Sequence, residues 1–211
     1  MRRTIFYLLV VATTLFAVCA IKARPVPAHS YFADQGFLVI AHRGGRGLMP
    51  ENTLAAFAHA KALGVDVLEM DLRASANGHL VIIHDASVDR TTNGRGRVDS
   101  LTLSQLRSLD AGYSWSSDGK TFPHRGQGLR IPTLDEVLAE HSNMRLLIEI
   151  KNNSPQVAQR FCETLQRFDM LDKTIVASFH GAALTAFHAA CPQTPISATS
   201  GEVALFTLLH L

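Results

Sequence analysis

Ionisable side chains stand at the ends of short apolar runs in the first half of this chain. His42 and His84 each follow such a run, and between them Glu69 and Asp71 alternate with the apolar residues of a third run. Burying an ionisable group beside a hydrophobic strand is costly unless the group binds something or takes part in chemistry. The pattern therefore predicts a sheet whose strand ends carry an acid–base site around a metal ion.

Extended and helical patterns alternate along the chain. We predict six strands, at residues 37–42, 67–72, 80–84, 146–150, 174–179 and 196–199. Helices are predicted between most of them, and Thr53 and Thr133 are suitable N-caps for two of these helices. Such alternation is typical of a parallel sheet covered by helices. There is no Gly-x-Gly-x-x-Gly turn and no Walker loop, so no motif supports a nucleotide-binding doubly wound sheet.

The period of two within the strands predicts which side chains meet. Glu69 and Asp71 point to the same side of their strand, and Glu149 and Lys151 share one face of another. With the two histidines, all six groups fall at carboxyl ends of predicted strands. A (β/α)8 barrel of the TIM type places its active site at that end. We therefore predict an α/β fold of this class.

Three of these side chains form a plausible ligand set for a metal ion. Carboxylate oxygens from Glu69, Asp71 and Glu149 favour one divalent cation of the hard type, Mg²⁺ or Ca²⁺. The alternative for Glu69 and Asp71 is that they are exposed charges at a sheet edge. His42 and His84 could serve as general acid and base, although a histidine on an apolar strand can also be purely structural.

Two cations near the same strand ends could hold an anionic group. Arg43 and Lys151 suit a phosphate, and salt bridges to the carboxylates are the alternative for both. Glu51 precedes a predicted helix start. It could hydrogen-bond within the site or only favour the helix N-terminus.

The N-terminal segment is predicted to be a targeting or membrane-anchoring segment rather than part of the folded domain. An apolar run from Ile5 to Ile21 follows two arginines, so residues 1–24 are a signal peptide or an uncleaved membrane anchor. Both alternatives place the domain outside the cytoplasm, in a periplasmic or other extracytoplasmic space. Residues 25–36 are predicted to be a linker, and residues 37–211 the folded domain.

Charge and cysteine content add two expectations. The formal net charge is +2, and four of the 20 basic residues lie in residues 1–24, so the folded part has no basic surplus for nucleic acid. Cys162 and Cys191 show no zinc-binding spacing. We expect them to be buried free thiols rather than a disulfide.

Seven segments, in this order, resemble the glycerophosphodiester phosphodiesterase family. They cover about residues 37–200 and are His42-Arg43-Gly44, Pro50-Glu51-Asn52-Thr53, Glu69-x-Asp71, His84-Asp85, Arg90-Thr91-Thr92-Asn93-Gly94-x-Gly96, Pro132-Thr133-Leu134-Asp135-Glu136 and Glu149-Ile150-Lys151.

The resemblance implies a (β/α)8 barrel that hydrolyses glycerophosphodiesters to glycerol 3-phosphate and an alcohol. It implies that the divalent cation binds to Glu69, Asp71 and Glu149, that His42 and His84 are the acid–base pair, and that Arg43 and Lys151 contact the phosphate. Residues 90–131 would be the family's small insertion over the barrel mouth.

The predicted strands number six, whereas such a barrel has eight and takes at least about 200 residues. We therefore expect a barrel truncated after about six strands, poorly stable and weakly active by itself. Two alternatives to the main function remain open. One is a lysophospholipase D-type activity on lysophospholipids, which a membrane anchor would favour, and the other is an inactive remnant.

Overall fold

The structure is a computed structural model that describes residues 2–22, 28–33 and 36–209. It divides into two compact units. One unit is residues 29–199. The other comprises residues 1–28 and 200–211, and its described part consists of helix α1 (Arg2–Lys22) and helix α7 (Ser200–Leu209). Within the described residues, no helix combines the length and apolar character that crossing a membrane requires.

The predicted linker, residues 25–36, lies only partly within the described residues. Residues 30–32 form a 3₁₀ turn, and Tyr31 in this turn is buried. The backbone oxygen of Tyr31 accepts a hydrogen bond of 3.1 Å from the guanidinium of Arg145. This turn therefore packs as part of the unit formed by residues 29–199.

One sheet of five strands organises the domain. The strands are β1 (Ile40–Ala41), β2 (Val67–Ala74), β3 (Leu80–Ile82), β4 (Arg145–Ile150) and β5 (Thr174–Ala177). The order β1-β2-β4-β5 is parallel throughout, and β3 pairs only with β2. The predicted sixth strand is reduced to one parallel bridge between Val176 and Ile196.

Helices connect the strands, and most of them contribute buried residues to the main core. They are α2 (Leu54–Ala62), α3 (Leu103–Arg107), α4 (Leu134–His141), α5 (Pro155–Arg167) and α6 (Gly181–Ala190). Thr53 caps α2, and Thr133 with Glu136 forms the expected capping box of α4. Leu68, Met70 and Leu72 form the apolar side of β2 and are fully buried in the main core. This arrangement confirms the predicted partial (β/α) barrel.

The third strand differs from the expectation of a parallel sheet. β3 runs antiparallel to the end of β2, with Leu72 opposite Ile82 and Ala74 opposite Leu80. Only five residues separate the two strands, and a crossover to a parallel neighbour needs about a dozen. The hairpin therefore returns the chain to the carboxyl end of β2, where the amide of Ile83 donates to the carbonyl of Asp71 at 2.9 Å.

The segment after this hairpin has a core of its own. Val81, Ile83, Val88, Val98, Leu106, Ala111 and Ile131 form a second buried cluster, separate from the main core. We call residues 86–131 the insertion. Its apolar residues pack with β3, so it is a folded element beside the carboxyl end of β2 rather than an open loop.

The expectation of two free thiols is wrong. Cys162 on α5 and Cys191, directly after α6, form a disulfide with a Cα–Cα distance of 5.9 Å. The two helices pack side by side, and the rings of Phe161 and Phe187 lie 5.2 Å apart between centroids. The pairing depends on this packing, because the sequence spacing alone does not distinguish a disulfide from two buried thiols.

Candidate active site

A strained turn directly after β1 begins the site. Arg43, Gly44 and Gly45 all adopt left-handed backbone angles, with φ of 54°, 73° and 86°. A Cβ at Gly44 would lie 2.9 Å from the Cβ of Ala56, so the turn needs glycine at this position. The turn directs the amide of Arg43 at Glu69, whose Oε2 accepts its hydrogen bond at 2.6 Å.

Strand register brings the three predicted carboxylates to one end of the sheet. Asp71 of β2 lies directly opposite Glu149 of β4, and Glu69 is two residues earlier on the same side. Asp71 is 1% exposed and Glu69 is 8% exposed. The alternative that they are exposed edge charges is therefore wrong.

Crowding of negative charge changes the proton affinity of Glu69. Burial raises the pKa of Glu69 to about 7, and the charges of Asp71 and Glu149 add to the increase against the opposing effect of Arg43. A carboxylate in these surroundings is stabilised by a proton or by a cation. Carboxylate oxygens are the donors that a hard divalent cation prefers, so the residue types at this strand end, though not their present arrangement, fit such an ion.

Two side chains already supply positive charge at this position. The Nζ of Lys151 lies 2.7 Å from Oε2 of Glu149 and 3.1 Å from Oδ1 of Asp71. The Nε of Arg43 lies 3.4 Å from Oδ2 of Asp71. The salt bridges considered for both residues are thus present. In the described part of the chain, no three His, Cys, Asp or Glu side chains are arranged to hold a metal ion.

His42 lies at the solvent side of the carboxylates. Its side chain is 57% exposed, and Nε2 is 4.0 Å from Oε2 of Glu69. Partial burial lowers the pKa of His42, and the nearby charges of Arg43 and Arg46 lower it further. The ring is therefore biased toward its neutral form, which can accept a proton.

His84 reaches the site through the β2–β3 hairpin. Its Nδ1 lies 2.6 Å from Oδ1 of Asp85, and its carbonyl accepts a hydrogen bond of 2.9 Å from Nε of Arg73. Burial alone would raise the pKa of Asp85, but hydrogen bonds from Arg90 and His84 lower it to about 2. Asp85 is therefore ionised, and it fixes a proton on Nδ1 of His84, which leaves Nε2 for proton transfer.

Glu51 hydrogen-bonds within the site, so its role is more than favouring the N-terminus of the following helix. Its carboxylate accepts hydrogen bonds from Nη1 of Arg43 at 3.0 Å and from Arg90 at 2.7 and 2.9 Å. Burial raises the pKa of Glu51, but these contacts with Arg90 and Arg43 leave it lowered overall. Arg90 also donates to Asp85 at 2.6 Å, so it ties the insertion to both histidine-bearing segments.

Asn52 is a positioning residue that sequence reasoning missed. Its Nδ2 donates to Oδ2 of Asp71 at 2.9 Å, and its Oδ1 accepts from the amide of Asp71 at 3.3 Å. Its φ is 57°, a left-handed angle that asparagine tolerates better than most residues. An asparagine directly before an N-cap threonine was the available signal. Arg90 and Asp85 were likewise assigned no role from the sequence, although both lie in the family motifs.

The fold and these contacts define a (β/α)-barrel protein with a carboxylate and histidine site at the carboxyl ends of its strands. The family model for the glycerophosphoryl diester phosphodiesterase family matches residues 42–205. The chain therefore belongs to that family, as its motifs predicted.

Curated relatives agree with this assignment. The chain is 39% identical over 152 residues to a glycerophosphodiester phosphodiesterase of Caldanaerobacter subterraneus subsp. tengcongensis, an alignment covering 70% of this chain and 60% of the relative. It is 33% identical over 171 residues to a glycerophosphodiester phosphodiesterase of Bacillus subtilis, covering 75% of this chain and 57% of the relative. The chain thus spans less than two thirds of the length of these relatives.

Solved structures show the same architecture. The glycerophosphoryl diester phosphodiesterase domain of a Mycobacterium tuberculosis protein superposes with a TM-score of 0.74 at 25% identity, covering 82% of this chain and 65% of that one. A phosphodiesterase of Oleispira antarctica, solved in complex with the product sn-glycerol-3-phosphate, gives a TM-score of 0.66 at 30% identity. That match covers 82% of this chain and 72% of the Oleispira chain.

Proposed function

We propose that this chain hydrolyses glycerophosphodiesters to glycerol 3-phosphate and an alcohol. The observation that carries the proposal is the juxtaposition of Glu69, Asp71 and Glu149 with His42 in a chain of this family. Hydrolysis adds one water to the diester. The bond from phosphorus to the alcohol oxygen breaks, hydroxide is added to phosphorus, and the alcohol oxygen gains a proton.

One divalent cation, Mg²⁺ or Ca²⁺, would be held by Glu69, Asp71 and Glu149. When bound, it would supply positive charge that neutralises the phosphate and stabilises negative charge in the transition state. The raised pKa of Glu69 supports this assignment, because a cation would compensate the buried negative charge that burial and the neighbouring carboxylates disfavour. Arg43 and Lys151 already lie against these carboxylates and would contact the phosphate oxygens from the same side.

The two histidines have different surroundings, which suit different roles. His42 is biased toward its neutral form, so we assign it the general base. His84 is held by the ionised carboxylate of Asp85, whose Oδ1 lies 2.6 Å from Nδ1, so its Nε2 is the ring nitrogen left to face the substrate. We therefore assign His84 the general acid that protonates the leaving alkoxide from Nε2.

The same chemistry is proposed to take place outside the cytoplasm. The disulfide between Cys162 and Cys191 supports this location, because such bonds persist in oxidising compartments. The prediction that residues 1–24 are a signal peptide or membrane anchor points to the same compartment. A protease-accessibility assay on spheroplasts tests it, since a domain protected until the inner membrane is lysed would contradict export.

An inactive domain is the second candidate, and the exposed edge of the sheet favours it. β1 is an outer strand, Ile40 on it is 46% exposed, and the adjoining Val39 is 60% exposed. A lysophospholipase D-type activity is the third. Its substrate differs from a glycerophosphodiester by one acyl chain, so a direct comparison of substrates separates the two activities.

The test is release of glycerol 3-phosphate from glycerophosphocholine and glycerophosphoinositol by the full chain, with Mg²⁺, with Ca²⁺ and with chelator. Glu69→Gln removes the charge with little change in shape, and it is expected to lower turnover by about 10² or more. Glu163→Gln, an exposed position on α5, is the matched control and is expected to leave turnover unchanged. Metal-independent release, or full activity of Glu69→Gln, would contradict the proposal.

A further inference from the structure

A pocket of about 200 Å³ adjoins the candidate active site on the side of the insertion. Its walls include Arg46, Arg90, Thr91, Ser114, Trp115 and Ser116. We call it the outer pocket. Its volume is below the range of about 300–1,000 Å³ that is usual for drug-sized ligands, so it suits a small group.

The lining of the outer pocket is connected to both segments that carry the histidines. It shares Glu51, Thr91 and Ala111 with a narrow cleft that His84 also lines. Arg46 also lines the outer pocket, and the amide of Arg46 donates to the carbonyl of His42 at 3.2 Å. An alcohol that leaves the phosphate toward the insertion would therefore enter this pocket.

Fixed side chains form the walls of the outer pocket. The indole Nε1 of Trp115 donates to the carbonyl of Arg46 at 3.0 Å, which joins the insertion to the turn after β1. The ring of Trp115 packs edge-on against His124 at 5.0 Å between centroids. Ser116 donates to Asp118 at 3.0 Å. Walls held in this way can discriminate between ligands, because little order has to be gained on binding.

The charged residues of the lining are Arg46, Arg90 and Glu51, which give it a formal net charge of +1. Arg90 is neutralised by its ion pairs with Glu51 and Asp85. The guanidinium of Arg46 is exposed, and it makes no ion pair or hydrogen bond with any part of the chain that the structure describes. Hydroxyl groups of Thr91, Ser114 and Ser116 supply further polar surface. The positive charge disfavours a cationic group, the hydroxyl groups can hydrogen-bond a hydroxylated one, and a polar lining of this kind disfavours an acyl chain.

We propose that the outer pocket binds the alcohol side of the diester and selects a neutral polyol, such as inositol or glycerol, over choline. This inference rests on the proposed function and names the substrate class of the same site. Arg46 is its specificity-determining residue, because it carries the uncompensated charge next to His42.

The experiment compares kcat/KM of the full chain on glycerophosphoinositol, glycerophosphocholine and lysophosphatidylcholine with a divalent cation present. We expect the inositol diester to be preferred over the choline diester by about tenfold, the size of effect that one nearby charge gives at a partly solvated site. Arg46→Glu reverses the charge and is expected to reduce this ratio by about tenfold or more. Arg95→Glu, an exposed arginine of the insertion outside the pocket, is expected to keep the wild-type ratio.

The ratio is the informative quantity, because both diesters use the same histidines and any effect of Arg46 on His42 cancels. If Arg46→Glu lowers both rates equally, Arg46 contacts the phosphate and the inference is wrong. Preference of the wild-type chain for choline or for the lysolipid also overturns it. If the wild-type chain hydrolyses none of the three, the proposed function fails, and calorimetric affinities for the two intact diesters decide the inference separately. Equal affinities refute it, and tighter binding of the inositol diester that Arg46→Glu abolishes supports it.

Discussion

Reduction of the disulfide between Cys162 and Cys191 is expected to destabilise the folded domain by about 3–4 kcal/mol. The bond joins positions 29 apart in sequence and crosses from α5 to the end of α6. In the chain-entropy description, closing a loop of about 30 residues removes about 12 cal/mol/K from the unfolded chain, which is about 3.6 kcal/mol at room temperature. Both cysteines are buried, so the reduced thiols keep most of their packing and the loss is mainly entropic.

Urea unfolding of the full chain, followed by circular dichroism with and without reductant, measures this difference. With a slope of about 2 kcal/mol per molar urea, the midpoint is expected to fall by about 1.5–2 M on reduction. The slope itself is expected to rise, because the reduced chain exposes more surface when it unfolds.

The double variant Cys162→Ala/Cys191→Ala is the control. Its midpoint is expected to be insensitive to reductant and to lie at or below that of the reduced wild-type chain, because removing two buried sulfurs leaves small cavities. The reasoning is refuted if reduction, verified by mass, leaves the wild-type midpoint unchanged. Two free thiols in protein exported to an oxidising compartment would refute the pairing itself.

Three further perturbations test individual side chains. Glu69→Gln is expected to stabilise the metal-free chain above pH 7 by on the order of 3 kcal/mol. The folded-state pKa of Glu69 is raised to about 7. Protonated Glu69 therefore favours the fold at low pH, and this contribution is lost as the pH rises from about 4.5 through that value. Urea unfolding at pH 4 and pH 8 checks this, and equal effects at both would contradict it. His141→Leu is expected to raise the free energy of unfolding, most at acid pH. Among the described residues, neither buried ring nitrogen has a hydrogen-bond partner, and burial lowers the pKa of His141 against a raising effect of Glu140. The neutral ring thus favours the fold above about pH 6.5 and that contribution is lost as the pH falls, so thermal melts at pH 5 and pH 8 that shift equally would exclude it. Asn52→Ala is expected to lower the free energy of unfolding by about 2–4 kcal/mol, because it removes the hydrogen bonds to Asp71 and places alanine in a left-handed backbone conformation. An unfolding midpoint within error of the wild type would rule this out.

Strand periodicity was sufficient to predict the acidic half of the site. Glu69, Asp71 and Glu149 meet because alternate residues of parallel strands share a side and adjacent strands end at the same edge. The hairpin that carries His84 was not predicted, although the five residues between β2 and β3 already exclude a parallel crossover. The disulfide could not be predicted, because it depends on how α5 and α6 pack.

The turn that carries Arg43 depends on backbone conformations that sequence patterns do not favour. Arg43 and Asn52 are both left-handed, and the amide of Asn52 donates to the carbonyl of Arg43 at 3.0 Å, so each holds the other in place. Left-handed angles at such residues cost about 1–3 kcal/mol each and persist only where surrounding contacts compensate. Here the compensation comes from the carboxylates, because Glu69 accepts from the Arg43 amide and Asp71 accepts from the Asn52 side chain. The strand periodicity therefore positions the acids, and the acids in turn stabilise the strained turn that brings Arg43 to them.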